Sequence, residues 1–296
     1  MNDNIKPKII IGMPVYNASK FLDNSITSLL NQSYKNFILI ISDNGSTDDT
    51  KLICEKFLNK DKRIQYINHK TNRGYAWNFN FVLNQADSKY FMWAGADDVW
   101  HPNFIEKNLD FLEMNQNFVG STSEVELFYK IWERNDFQKL ENTIPKKKYE
   151  WVHPLIGTYE EKVKFLFDFC RFEYAYSIYR TKILKKCVIK QQFLSWEIPV
   201  ILKLLKFGDL NVIDGVMTYK YMGDHKTDSD YYKKLFHTTR NQNFGIFLSL
   251  FPFITLTLHV FKIVGPKIFF KYLSLRFFKD NYRAQRLVIL DIFSRK

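Results

Sequence analysis

The sequence predicts an α/β fold: a mixed, largely parallel sheet flanked by helices. Strand-length apolar runs alternate with amphipathic helical stretches over the first 115 residues, the signature of βα units. The run Lys8–Met13 is apolar without a break from Ile9 onward, as expected of a strand buried on both faces. Clusters of polar residues follow three of the runs, at the carboxyl ends where open α/β sheets bind ligands.

The elements follow in order. Pro14 ends the first strand, because it has no N–H to donate to a ladder. Between Ser19 and Asn31, Phe21, Leu22, Ile26, Leu29 and Leu30 recur at helical spacing. Phe37–Ile41 is a second strand. Ser46 followed by Asp49 fits a capping box, with a helix to about Leu58. Ile64–Ile67 is a strand, Tyr75–Gln85 a helix and Tyr90–Trp93 a strand. Pro102 suits the first turn of a helix reaching about Met114. Loops 14–18, 42–48, 69–75 and 95–101 are therefore the candidate site. Further on, Phe118–Lys130 reads as a strand, Asn135–Trp151 as a polar loop and Glu160–Phe169 as a helix. Tyr174–Tyr179 reads as a strand, Trp196–Phe207 as a helix closed by Gly208, and Asn211–Ile213 and Val216–Met222 as two short strands. No internal repeat is present.

The 296 residues are 46% hydrophobic and 25% charged, which excludes disordered, collagenous and disulfide-stapled classes. The three cysteines, Cys54, Cys170 and Cys187, are too scattered for a zinc site and imply reduced thiols. Met1–Pro7 is short and polar, so no secretory leader is expected. A net charge of +12 points to a polyanionic partner. Residues 241–296 hold nine Lys/Arg against two Asp, a net +7, within an apolar and aromatic stretch. Basic and apolar character together favour a membrane surface over nucleic acid. Ile246–Val264 barely reaches spanning length and Pro252 interrupts it, so it and Ile268–Ile289 read as helices lying on a cytoplasmic leaflet. The alternatives are a helical pair folded back on the main domain, or a homo-oligomer interface.

Three clusters carry the chemistry. Ala96-Asp97-Asp98 places two carboxylates after a buried strand, a donor set for a hard divalent cation. Ser42-Asp43-Asn44-Gly45-Ser46-Thr47-Asp48 offers a carboxylate and an amide for hydrogen bonds to a base or ribose. Met13-Pro14-Val15-Tyr16-Asn17 closes the first strand. Each alone is an ordinary turn.

Taken together, Pro14-Val15-Tyr16-Asn17, Ser28-Leu29-Leu30-Asn31-Gln32-Ser33-Tyr34, Ser42–Asp48, Asn72-Arg73-Gly74 and Ala96-Asp97-Asp98 resemble, in order and spacing, the glycosyltransferase family 2 enzymes of the GT-A fold. The resemblance covers roughly residues 8–115. It implies a nucleoside-diphosphate-sugar donor, Mn²⁺ or Mg²⁺ as cofactor, and an inverting displacement. It further implies that Pro14, Tyr16 and Asn17 line the nucleoside pocket, that Asp43 and Asn44 face the base, and that Arg73 and Gly74 stand on the nucleotide side. Asp97 would meet the donor, Asp98 the metal, and His225 the metal or diphosphate. Glu197, beginning a helix, would be the general base for the acceptor hydroxyl; a helix N-terminus keeps such a carboxylate ionised. Arg180 is a weaker candidate for ligand contact, and Trp93, Trp100 and Trp196 flank the acids as sugar-stacking or core residues. Two departures stand out. Many members have a second acid at the position of Asn44, and another Asp at the position of Gly95.

The implied organisation is a GT-A domain over 1–240, with a nucleotide-sugar half (about 1–115) and an acceptor half (about 116–240), followed by the helical extension 241–296. The implied acceptor is a glycan or lipid-linked sugar at the inner membrane surface, in bacterial surface-polysaccharide synthesis. Competing readings are a nucleotidyltransferase acting on a sugar phosphate, which lacks support because no Gly-rich loop follows the first strand, and a protein that binds nucleic acid or another anionic surface.

Overall fold

The computed structural model describes residues 7–128, 152–169, 172–191, 193, 195–221, 253–279, 281, 282 and 286. The first half runs β1 (Ile9–Val15), α1 (Leu22–Leu30), β2 (Phe37–Asp43), α2 (Thr50–Leu58), β3 (Ile64–Asn68), α3 (Tyr75–Asn84), β4 (Tyr90–Trp93), β5 (Val99–Trp100) and α4 (Phe104–Met114). Then come β6 (Phe118–Phe128), α5 (Tyr159–Phe169), a 3-10 turn (Phe172–Tyr176), β7 (Ile178–Arg180), α6 (Thr181–Cys187), α7 (Glu197–Leu204), β8 (Asp209–Tyr221) and α8 (Ile254–Ile268).

One eight-stranded sheet has the order β3-β2-β1-β4-β7-β6-β8-β5. The β1–β2, β1–β4, β2–β3 and β6–β8 pairings are parallel; β7 against β4 and β6, and β5 against β8, are antiparallel. Each face of the sheet carries its own core. Ile9, Ile11 and Met13 of β1 meet α1, α2 and α4, while Ile10 meets the face covered by α3, α5, α7 and α8. Such two-sided burial explains why the β1 run is apolar without alternation. Helix α1 buries Leu22, Ile26 and Leu29, the i, i+4, i+7 stripe read from the sequence.

Several local expectations are corrected. The capping box at Ser46 does not form, because α2 begins at Thr50. Ser46 is held elsewhere, its N–H on Asp43 and its hydroxyl accepting from the Asn17 N–H, while Asp48 caps Thr50. Pro102 precedes α4 rather than opening it. Of Tyr174–Tyr179, only Ile178 and Tyr179 are in β7, and Tyr174–Tyr176 form a 3-10 turn. The two short strands after residue 208 are one strand, β8, whose Asp214-Gly215 step is accommodated by register shifts against β6. Gly208 is required by close approach: a Cβ there would lie 2.3 Å from the Asn117 carbonyl oxygen.

Helix α8 turns Leu256, Val260 and Val264 into the core shared with α7. Gly265, at φ 80°, and Pro266 break its course, and a π-helical turn follows at Phe269–Leu273. Among the described residues, no helix is long and apolar enough to cross a membrane. Residues 246–252 and most of those after 282 lie outside the described residues, as does the predicted loop 135–151.

Candidate active site

The loops after β1, β2, β3 and β4 meet at one edge of the sheet, as the strand order requires. The first two are stitched together. Asn17, at φ 50°, accepts from the Thr47 N–H at 2.8 Å, and its own N–H donates to Ser46 Oγ at 2.9 Å. The Ala18 N–H donates to Thr50 Oγ1, and the Ser19 N–H to Asp48. Pro14 sits in β1 opposite Ser42, and the Tyr16 side chain is 48% exposed, free to present a ring to the cleft.

Asp43 ends β2 with its side chain fully buried. One oxygen accepts from the Ser46 N–H at 2.9 Å and the other from the Tyr66 hydroxyl at 2.8 Å. Burial and the hydrogen bond to Asp43 raise the Tyr66 pKa, so Tyr66 remains a neutral donor. Asn44, also buried, uses its whole amide inside the protein. Its Nδ2 donates to Asn72 Oδ1 and the Gly74 carbonyl, and its Oδ1 accepts from the Arg73 N–H. It thereby fixes the turn that carries Arg73 and Gly74 into α3. The Arg73 guanidinium stacks 4.7 Å over Trp77 and stays exposed. Beneath this turn, Ser42 Oγ donates to Asn78 and contacts His69, whose pKa is lowered by burial and by Arg73.

The acids follow β4. The Ser25 hydroxyl holds the Gly95 carbonyl at 2.9 Å, and Trp100 N–H reaches Ser28 Oγ. Asp98 is buried and Asp97 exposed. Both carboxylates converge over Gly95: a Cβ there would meet Asp98 Oδ2 at 2.6 Å and Asp97 Oδ1 at 3.2 Å. The missing side chain at this position, a departure in the sequence, is what lets the two acids crowd together. Adjacent carboxylate oxygens suit a hard divalent cation. No group of three or more His, Cys, Asp or Glu closes around a metal position among the described residues, so a cation there would complete its shell with ligand oxygens and water.

Glu197 is the first residue of α7, preceded by Ser195 at φ 54°. Its approach is set by Trp196, whose buried ring packs edge-on against Trp93 at 5.7 Å and against Phe79 at 5.5 Å. Tyr75 and Asn80 of α3 hold the preceding segment through the carbonyls of Phe193 and Ile189. Burial raises the pKa of Tyr176, the nearby positive charge of Lys220 opposes this, and the negative charges of Asp98, Asp97 and Glu197 push it further up.

Other expected residues lie elsewhere. Arg180 is neither a ligand group nor a surface ion pair; it donates to the carbonyls of Phe118, Leu112 and Asn115. Trp93, Trp100 and Trp196 are core, at most 3% exposed. His225 lies outside the described residues. Tyr66, Asn78, Tyr176 and Lys220 were not singled out in the sequence. Only Lys220, a charge within an otherwise uncharged strand end, left a trace there.

Loops meeting at the carboxyl ends of a mixed α/β sheet, with paired acids after β4, are the arrangement of the GT-A fold. The model of the family "Glycosyl transferase family 2" matches residues 10–187, and the chain belongs to this family. It is 36% identical over 121 residues to an uncharacterised glycosyltransferase of Haemophilus influenzae, covering 41% of this chain and 38% of that protein. It is 37% identical over 116 residues to the putative glycosyltransferase EpsE of Bacillus subtilis, covering 39% and 42%. With the putative teichuronic acid biosynthesis glycosyltransferase TuaG of the same organism it shares 33% over 109 residues, covering 37% and 43%. The chain thus spans less than half the length of these relatives. The fold is similar to the crystal structure of S. aureus TarS 1–349 in complex with UDP-GlcNAc, with a TM-score of 0.54, 18% identity, and 86% of this chain and 73% of that one covered. It is also similar to the mannosyltransferase PcManGT from Pyrobaculum calidifontis in complex with GDP-Man and Mn²⁺, with a TM-score of 0.58, 13% identity, and 98% and 75% covered.

Proposed function

We propose that this chain is an inverting glycosyltransferase that moves a sugar from a nucleoside-diphosphate sugar, UDP-linked in our reading, to a hydroxyl of a glycan or lipid-linked acceptor in bacterial surface-polysaccharide synthesis. The observation that carries the reading is the convergence of Asp97 and Asp98 over Gly95 at the mouth of the sheet. The similarity to TuaG, a putative teichuronic acid biosynthesis glycosyltransferase, and to the fold of TarS in complex with UDP-GlcNAc supports the substrate class.

In this reading Tyr16, Asn17 and Asp43 receive the nucleoside, with Pro14 and Asn44 shaping the pocket and Arg73 and Gly74 forming its rim. Asp98, with Asp97 and with His225 beyond the described residues, would hold Mn²⁺ or Mg²⁺, which supplies Lewis-acid neutralisation of the departing diphosphate. Glu197 accepts the proton of the acceptor hydroxyl. The acceptor oxygen then bonds to the anomeric carbon as the bond from that carbon to the β-phosphate oxygen breaks, inverting the configuration.

The extension 241–296 is read as a peripheral attachment to the cytoplasmic membrane face. Phe270, Leu275, Phe278 and Tyr282 are each at least 60% exposed, beside the exposed Lys271 and Lys279. Aromatic anchors among lysines fit an anionic leaflet.

The test is transfer of radiolabelled sugar from UDP-, GDP-, CDP- and dTDP-sugars to membrane-extracted acceptors. One donor class should support turnover. Glu197→Gln should abolish transfer while nucleotide affinity is retained; normal transfer by that variant would remove Glu197 as the base.

A further inference from the structure

Lys220 lies in the last turns of the sheet, 9% exposed, on a strand that also carries Tyr219 and Tyr221. A buried lysine is uncommon, because desolvating an ammonium is costly unless negative charge or a π face compensates. Two features compensate here. Its Nζ stands 3.8 Å over the ring of Tyr176, close enough for a cation–π contact. The antiparallel β5–β8 register pairs Val99 with Tyr219 and Trp100 with Thr218, so Asp98 and Lys220 are the next residues of the two chains at the same end of that ladder. Lys220 thus stands against Tyr176 at the end of β8 nearest Asp98.

We propose that Lys220 is a donor-binding residue whose ammonium contacts the diphosphate of the nucleotide sugar beside Asp98. This rests on the nucleotide-sugar reading above. A site with three carboxylates repels an incoming diphosphate, and one divalent cation does not offset all of that charge. A lysine anchored on β8 adds positive charge at the end of the ladder where Asp98 leads into β5. The Tyr176 ring holds the ammonium in place before the donor arrives, so little side-chain freedom remains to be lost on binding.

The proposal separates the phosphates from the nucleoside. Calorimetric titrations of UDP and UMP, and of GDP and GMP, are made into the wild-type chain, Lys220→Gln and Lys220→Arg, with and without Mn²⁺. Lys220→Gln should weaken diphosphate binding by roughly tenfold or more, the scale of a lost charge-assisted hydrogen bond, with monophosphate binding changed by less than about twofold. Lys220→Arg should recover part of the loss. Equal weakening of mono- and diphosphates, or unchanged diphosphate affinity, would overturn the assignment of Lys220 and leave the donor reading standing. A wild-type chain that binds no nucleoside diphosphate would overturn both. Should Lys220→Gln fail to fold, the comparison passes to Lys220→Arg and Tyr176→Leu. Tyr176→Leu removes the π face and should weaken diphosphate but not monophosphate; unaltered ratios in both variants would equally overturn the proposal.

Discussion

The rings of Trp93 and Trp196 meet edge to face, with centroids 5.7 Å apart and planes at 89°. Trp93 ends β4, immediately before the acidic loop, and Trp196 immediately precedes Glu197 on α7. The contact therefore ties the Asp97-Asp98 loop to the start of α7 at Glu197 through two buried side chains. Trp196→Ala should cost about 3–5 kcal/mol of stability, the usual scale for emptying a buried aromatic site. Trp196→Phe should cost less but lower kcat more than it raises KM, because the start of α7 shifts relative to β4. Denaturant titration and steady-state kinetics check the two effects.

Gly95→Ala is expected to fold, since Gly95 is not in the left-handed region. The added Cβ would fall 2.6 Å from Asp98 Oδ2, so the carboxylate must move. Metal-dependent nucleotide affinity should drop by about tenfold or more, while affinity measured without metal stays near the wild-type value. Equal affinities in the two proteins with metal present would mean the acids need not converge.

Asn44→Asp would restore the acid common in the family and should be harmful here. The Asn44 amide N–H groups face two acceptors, Asn72 Oδ1 and the Gly74 carbonyl, in a buried position. A carboxylate would set acceptor against acceptor at a cost of about 1–3 kcal/mol. Thermal unfolding should register the loss, and Asn44→Asp/Asn72→Lys should recover part of it.

Much of this was legible in the sequence because it is local. The β1–β4 runs, α1, α3 and the Asp97-Asp98 pair depend on apolar spacing and strand ends, which the residues state directly. The misreadings are tertiary. Asp214-Gly215 reads as a turn, yet β6 lies alongside and carries the strand through. Ser46 reads as a helix cap, but Asp43 and Asn17 claim it. Other relationships are invisible to spacing: Asn44 is held by residues 72–74, nearly 30 positions away. Neither the burial of Lys220 nor its place over the Tyr176 ring can be inferred from spacing.

Asp48 makes stability pH-dependent in acid. Burial alone would raise its pKa, but hydrogen bonds from the Thr50 and Ser19 groups outweigh this and hold it at about 2, against an ordinary value of 3.8. The folded state thus binds the proton less tightly than the unfolded state. The stabilisation is complete above about pH 4 and is lost as pH falls toward 2. After allowance for solvent screening it amounts to about 1–2 kcal/mol. Asp48→Asn should flatten the unfolding free energy between pH 4 and pH 2 relative to wild type, as followed by urea titration at each pH.

The central claim is a metal-dependent nucleotide site built on Asp98. The most direct measurement is a calorimetric titration of UDP, then GDP, into the wild-type chain and Asp98→Asn, each with and without Mn²⁺. The account predicts that one nucleotide binds the wild-type chain tightly only with metal, and that Asp98→Asn abolishes the metal-dependent part. Binding of equal strength in both proteins, with or without Mn²⁺, would contradict it.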